Sequence, residues 1–420
     1  MIIRWLTSKT VREACAMRKH VWHLLSAQRD ILPAASVNAV TSALNQLRDT
    51  IAAGENIGKI RLKMDELDFA ANKWIKPYPH AMWRENVEVL LVAIAVAMAI
   101  RTFFLQPFKI PTGSMQPTLF GVTSKNYLAH DGQPGDPKFV IPTGWERIKE
   151  WFEGVSYIHV VAQADGTIEA VSPMTSFLIF NIRQSITIGG VEHVIWFPPD
   201  LGEAPPGGIP LAYRAGLEAG RYYHKGDDVI KMRVSAGDHL FVDRLSYNFR
   251  KPQRGEIVVF ATAGIPEARR ETYRVPGDQF YIKRLVGLGS ENLSLTQDHL
   301  VTGVPQYGGD AVPVGHLVVN GQPLSASTPH FENVYSYSGA PPGMKALPYK
   351  ENQYYGHAMI YELSPGRDFQ VATNHLFVMG DNTLSSLDSR FWGDFPETSL
   401  IGKSFFVYWP ITRRFGWGNE

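Results

Sequence analysis

Twelve consecutive apolar residues, Val89–Ile100, divide the chain into a helix-patterned N-terminal part and a strand-patterned remainder. Before the run, apolar positions recur at helical spacing, as in Val11, Ala14, Cys15, Val21-Trp22 and Leu24-Leu25. Breaks at Pro33-Ala34-Ala35-Ser36 and Gly54-Glu55-Asn56-Ile57-Gly58 predict two or three short amphipathic helices within residues 1–84. Their basic faces suit an anionic lipid surface, and a solvated helical hairpin fits the pattern equally well. After Pro107 the period shortens. Apolar, β-branched and aromatic runs at Tyr157–Ala162, Phe177–Ile182, His193–Phe197, His239–Val242, Ile257–Phe260, Phe280–Leu288, Leu317–Val319, Leu376–Met379 and Ser404–Trp409 predict strands. Turn signals such as Asp165-Gly166, Gly189-Gly190 and Asn320-Gly321 separate many of them. A tryptophan-rich helical piece, Gly144–Phe152, interrupts the strands, and Pro198-Pro199 and Pro205-Pro206-Gly207-Gly208 mark an exposed linker. The reading is a mainly β chain with an antiparallel, barrel-like core rather than alternating β/α units.

On length alone a buried core helix is the rival reading, since a spanning helix needs about 20 predominantly apolar residues and the apolar run itself is shorter. It reaches Leu105 when Arg101 and Thr102 are admitted, and long side chains near its ends (Glu88, Arg101) can reach headgroups. Trp83, Phe103 and Phe104 flank it as interfacial aromatics would. Charge supports the same reading. Residues 1–84 carry 13 Lys and Arg against 7 Asp and Glu, an excess of +6 in a chain whose net charge is +1. The positive-inside rule then places the N-terminal side in the cytoplasm, with one uncleaved anchor and the remainder outside. With net charge near zero, a nucleic-acid partner has no electrostatic support. A single cysteine, Cys15, excludes an intrachain disulfide and a cysteine-based zinc cluster. The metalloprotease, P-loop and nucleophile-elbow motifs are absent, and no cofactor or metal is expected.

Three segments carry candidate chemistry. Ser114 lies between Pro111-Thr112-Gly113 and Met115-Gln116-Pro117, where glycine permits a tight turn and two prolines stiffen its flanks. A serine needs a base to become a nucleophile. Lysine serves only when neutral, and desolvation lowers its pKa by disfavouring the ammonium. Lys283 sits in the apolar run Phe280–Val286, where alternation puts it on a face with Tyr281 and Leu285. Alone, a strand lysine reads more readily as a solvated residue, and a Ser-Met-x-Pro turn as an ordinary loop. The third segment, Gly380-Asp381-Asn382 through Ser386-Leu387-Asp388-Ser389-Arg390 to Gly393, packs a turn, hydroxyls and an Asp/Arg pair directly after a strand.

An apolar anchor, then Ser114-Met115-x-Pro117, then Tyr281-Ile282-Lys283-Arg284, then the Gly380–Gly393 motif resembles the bacterial type I signal peptidases of the Ser-Lys kind. Gly237–Val242 and Arg254–Phe260 fit the same resemblance, which covers residues 83–120 and 237–415. It implies a membrane-bound serine endopeptidase that removes signal peptides from exported preproteins after Ala-x-Ala-like sites through an acyl-enzyme. By motif position, Ser114 is implied as nucleophile and Lys283 as general base. The Ser114 amide and the Thr112 hydroxyl would form the oxyanion hole, and Ser386 would orient the lysine amine. Arg284 with Asp381, and Asp388 with Arg390, would brace the site. Substrate would add as a strand beside Phe108–Pro111 and Gln279–Ile282, with Phe108, Ile110, Pro111, Tyr281 and Ile282 lining shallow pockets for small side chains. Implied partners are secretory preproteins and the lipid bilayer, with contact to the export machinery left open. The implied place is the inner membrane, single-pass, with the catalytic part on the outer side.

The chain departs from the family pattern in three places. Thr112 replaces the commoner serine, Gly287-Leu288-Gly289-Ser290-Glu291 replaces Gly-Leu-Pro-Gly-Asp, and a long stretch separates Leu119 from Gly237 where the family runs almost straight on. The expected organisation is therefore a helical region (1–84), an anchor (85–106), a catalytic domain (107–120 and 237–420) and a β-rich insertion (121–236). Two other readings stand beside it. A self-cleaving repressor-type Ser-Lys protease shares the chemistry but is soluble and carries a DNA-binding module. An inactive membrane-tethered scaffold would keep the fold without the reaction.

Overall fold

The computed structural model describes residues 8–76, 81–128, 138–177, 180–204, 208–336, 346–350 and 353–417. Pro205, Pro206 and Gly207 of the expected linker, and part of the run expected at Phe177–Ile182, lie outside the described residues. The chain forms two compact units, Met1–Val96 and Ala97–Glu420.

In the first unit, α1 (Lys9–Gln28), α2 (Ala34–Ala52) and α3 (Ile57–Trp74) share one apolar core. The buried side chains of α2, Val40, Leu44, Leu47 and Ile51, recur every three or four residues and form a single stripe. Ser8 caps α1 and Asn56 caps α3. The buried Gln28 side chain grips both backbone groups of Lys76, at 2.8 and 3.1 Å, and ties the end of α3 to the end of α1. The helices therefore bury their apolar faces against one another. A fourth helix, α4 (Ala81–Phe103), is long and apolar enough to cross a membrane, and none of its apolar window from Met82 is buried within the protein. It ends sooner than the expected anchor, since Leu105 and Gln106 already belong to a strand.

The second unit centres on an antiparallel sheet of eight strands: β1 (Leu105–Lys109), β2 (His239–Asp243), β3 (Ile257–Ala261), β4 (Phe280–Gly287), β5 (His375–Met379), β6 (Phe395–Pro396), β7 (Leu400–Trp409) and β8 (Gly416–Trp417). Their order is β1-β2-β7-β3-β4-β5-β6, with β8 on β7. One core, containing Ile110, Met115, Leu119, Leu240, Val242, Ile257, Val259 and Val407, lies under β1, β2, β3 and β7. Between β4 and β5 the chain builds two further four-stranded sheets from residues 292–295, 317–319, 322–323 and 369–370, and from 299–302, 312–315, 346–348 and 357–358. Of their short strands only Leu317–Val319 is among the runs expected from the sequence.

Residues 121–236 hold strands 123–126, 155–161 and 228–235 in one sheet and 166–171, 175–177, 180–188, 191–196 and 222–223 in another. The described parts of the run expected at Phe177–Ile182 belong to two strands, 175–177 and 180–188, which pair antiparallel with Phe177 opposite Phe180. Strand Asp228–Ser235, unpredicted because the consecutive apolar pair Val229-Ile230 breaks the alternation that runs from Lys231, is the centre of its sheet. Ile158, Ile186, Leu211, Met232 and their neighbours give this segment a core of its own.

Candidate active site

The nucleophile turn follows from two anchors. Met115 and Leu119 are fully buried in the core under β1–β3, so the short 3-10 turn Gly113–Met115 is pulled down on one side and presents Ser114 on the other. Lys283, 5% exposed on β4, reaches it: Nζ lies 2.8 Å from Ser114 Oγ and 3.0 Å from the Ile282 carbonyl. Its ammonium also lies 5.5 Å from the Tyr281 ring centre. Burial lowers the Lys283 pKa from 10.5 to about 8, against the opposing pull of the Asp388 and Asp381 carboxylates. No carboxylate pairs with it directly among the described residues. An amine in this condition is neutral often enough near neutral pH to accept a proton.

The motif after β5 clamps the turn from behind. The Asn382 amide donates to the Ser114 carbonyl at 3.0 Å, and its side-chain Nδ2 donates to the Gly113 carbonyl at 3.1 Å. Asn382 had no role assigned from the sequence, because nothing local shows that this asparagine faces a turn hundreds of residues earlier. Gly380 is needed for space. A β-carbon there would stand 2.1 Å from Ser386 Oγ and 2.4 Å from the Ser114 carbonyl oxygen.

The two predicted pairs are present and fully buried. Arg284 meets Asp381 through two bonds of 2.7 Å, and Arg390 meets Asp388 at 2.9 and 2.8 Å. Burial alone would raise the Asp388 carboxyl. Arg390 and the Gly380 amide, 3.0 Å from Asp388 Oδ2, hold it below its ordinary value. Arg390 also donates to the Ala358 and Thr383 carbonyls, and so joins the motif to the sheet of residues 357–358. Ser386 is brought to the site, where its hydroxyl lies against Gly380 and helps hold the Asp388 carboxyl below its ordinary value, and among the described residues it makes no hydrogen bond to Lys283. The Thr112 hydroxyl lies 3.4 Å from Ser114 Oγ.

A cleft of about 810 Å³ opens over Ser114 and Lys283. Phe108, Ile110, Pro111, Tyr281 and Ile282 all line it, and the Phe108 and Phe280 rings meet edge to face at 5.6 Å. Two strand edges border it. β1 is the outermost strand of its sheet, and residues 280–283 of β4 pair with β3 alone, because β5 joins only from Arg284 onward. Near the C-terminus, Arg414 grips the buried Asp238 carboxylate at 2.8 and 2.9 Å.

The family profile described as signal peptidase, peptidase S26, matches residues 83–132 and 229–409. A signal peptidase I of Leptolyngbya laminosa is 29% identical over 205 residues, covering 49% of this chain and 75% of the relative. A signal peptidase I of Pseudomonas aeruginosa is 25% identical, over 43% of this chain and 62% of its own length. The chloroplastic thylakoidal processing peptidase 1 of Arabidopsis thaliana is 29% identical over 43% of this chain and 39% of its own. A solved signal peptidase I from Enterococcus faecalis covers 37% of this chain at 22% identity with a TM-score of 0.22, too loose a superposition to add to the profile match. The profile spans more than half of the residues and both halves of the Ser114–Lys283 pair, and on that ground the chain belongs to the signal peptidase family, peptidase S26.

Proposed function

We propose that the chain is a membrane-anchored serine endopeptidase that cuts signal peptides from exported preproteins, with Ser114 as nucleophile and Lys283 as its base. The observation that carries this reading is the 2.8 Å contact between a buried lysine amine and the serine hydroxyl at the bottom of an open cleft. Ser114 Oγ attacks the scissile carbonyl carbon while its proton passes to Lys283 Nζ. The resulting ammonium gives that proton to the departing amine, which leaves an acyl ester on Ser114. Water, deprotonated by the same amine, then hydrolyses the ester. In this reading the Ser114 amide and the Thr112 hydroxyl, which lies 3.4 Å from Ser114 Oγ, stabilise the oxyanion, and losing one such donor costs about 10²–10³ in rate.

The unpaired edges of β1 and of residues 280–283 suit an extended chain bound by strand addition. Ile110 and Ile282 line the cleft beside Ser114, which suits small side chains of the Ala-x-Ala kind. The lipid-exposed character of α4 supports a single span, and the basic excess of residues 1–84 supports a cytoplasmic N-terminal side. Ser386, Asp381 and Asp388 act through geometry in this reading.

The decisive experiment is cleavage of a preprotein by detergent-solubilised wild type, Ser114→Ala and Lys283→Ala. Cutting at an Ala-x-Ala site by the wild type alone is expected, with activity rising with pH through about 8 as Lys283 loses its proton. Retained cutting by Lys283→Ala would place the base elsewhere.

A further inference from the structure

We propose that the segment inserted between the nucleophile turn and β2 is a substrate-reading wall, and that its Glu203 selects preproteins carrying a cationic side chain a few residues before the cut. This rests on the signal-peptide reading above and assigns a task to residues 121–236 that the profile match leaves out between 133 and 228.

Three contacts fix the insertion to the nucleophile segment. A β-carbon on Gly237 would stand 2.0 Å from the Ile110 carbonyl, one on Gly202 would stand 3.1 Å from the Pro111 carbonyl, and one on Gly121 would stand 2.1 Å from the Thr112 carbonyl. The insertion and its two stem glycines therefore lie against three successive carbonyls just before Ser114. Its loop 200–203 is itself built. Asp200 pairs with Lys109 of β1 and accepts the Gly202 amide at 2.9 Å, and Arg214 Nε donates to the Leu201 carbonyl. At the end of this loop Glu203 enters the lining of the catalytic cleft. It faces β4, where burial and the Glu203 carboxylate together push the Tyr281 phenol up.

The unpaired carboxylates of the cleft outnumber its free cations. Its lining holds Lys109, Lys283, Glu203 and Asp278. Lys109 is paired with Asp200 and Lys283 is committed to Ser114, whereas Glu203 and Asp278 have no ion-pair partner among the described residues. A lysine or arginine on the bound strand supplies the missing charge. Tyr281 lies two residues from Lys283 and strands rise about 3.3 Å per residue, so the side chain read by Glu203 falls within roughly two to six residues of the scissile bond.

The test uses the full chain in detergent and a preprotein series in which lysine, glutamate or alanine is walked through the second to sixth residues before the cut. For each protein the ratio of kcat/KM between lysine and glutamate substrates is measured. Wild type is expected to prefer lysine at one position by about fivefold, the size of an ion pair at a partly exposed site. Glu203→Gln brings that ratio close to one and Glu203→Lys inverts it. Equal ratios in all three proteins, with the alanine substrates cut, overturn this inference alone. Failure of the wild type on every substrate overturns the signal-peptide reading and this one with it.

Discussion

Lys283 carries two opposed demands. Catalysis needs its amine neutral, and the burial that achieves this works against stability whenever the amine is protonated. Its pKa in the folded chain, about 8, lies below the ordinary 10.5, so below pH 8 the folded state holds a desolvated ammonium that the unfolded chain would solvate. That penalty shrinks as pH rises from about 8 toward 10.5. Lys283→Met is therefore expected to abolish cleavage and to stabilise the chain by about 1–3 kcal/mol at pH 6. The gain should fade by pH 10, as thermal unfolding at the two pH values would reveal. An unchanged or lower midpoint at pH 6 would mean that the lysine is more hydrated than its 5% exposure indicates. At this scale the sequence was informative for charged and nucleophilic residues and silent for Asn382, whose importance comes from a partner some 270 positions away.

Among the elements, the site depends on how closely two segments approach: the Gly113–Met115 turn and the loop after β5. Gly380 sits between the Ser114 carbonyl and the Ser386 hydroxyl with no room for a methyl group. Gly380→Ala must push the loop away from the turn, and misplacing a nucleophile by about 1 Å costs on the order of 10²-fold in rate. The expected result is a loss of that size in kcat with KM little altered, measured on a peptide substrate. A loss confined to KM would mean that the loop contacts substrate rather than positions Ser114. The strands that form these elements were readable because β-branched and aromatic runs such as Ile257–Phe260 are long enough to show a period. In strand Asp228–Ser235 the alternation runs only from Lys231 to Ser235, and the consecutive buried pair Val229-Ile230, where the register shifts, breaks the period.

For the whole molecule, helix α4 is the feature without a protein partner. Its apolar surface is exposed along the full window, whereas α1, α2 and α3 bury theirs in a shared core. Membranes from cells making the chain should therefore retain it through alkaline carbonate extraction and release it only with detergent. Extraction by carbonate alone would show that α4 is covered by another protein surface rather than by lipid. Composition and pattern determined by themselves that the chain folds, that an apolar helix precedes a β-rich part, and that a serine, a lysine and a Gly-Asp-Asn motif lie in a telling order. Those are properties of local periodicity and residue chemistry, and a sequence displays them directly. Only the tertiary structure decided that Lys283 touches Ser114, that Ser386 lies against Gly380, that Asn382 grips the turn, and that a loop around Glu203 reaches the cleft. Those are close approaches between distant segments, set by packing and strand register, and no single stretch of chain encodes them.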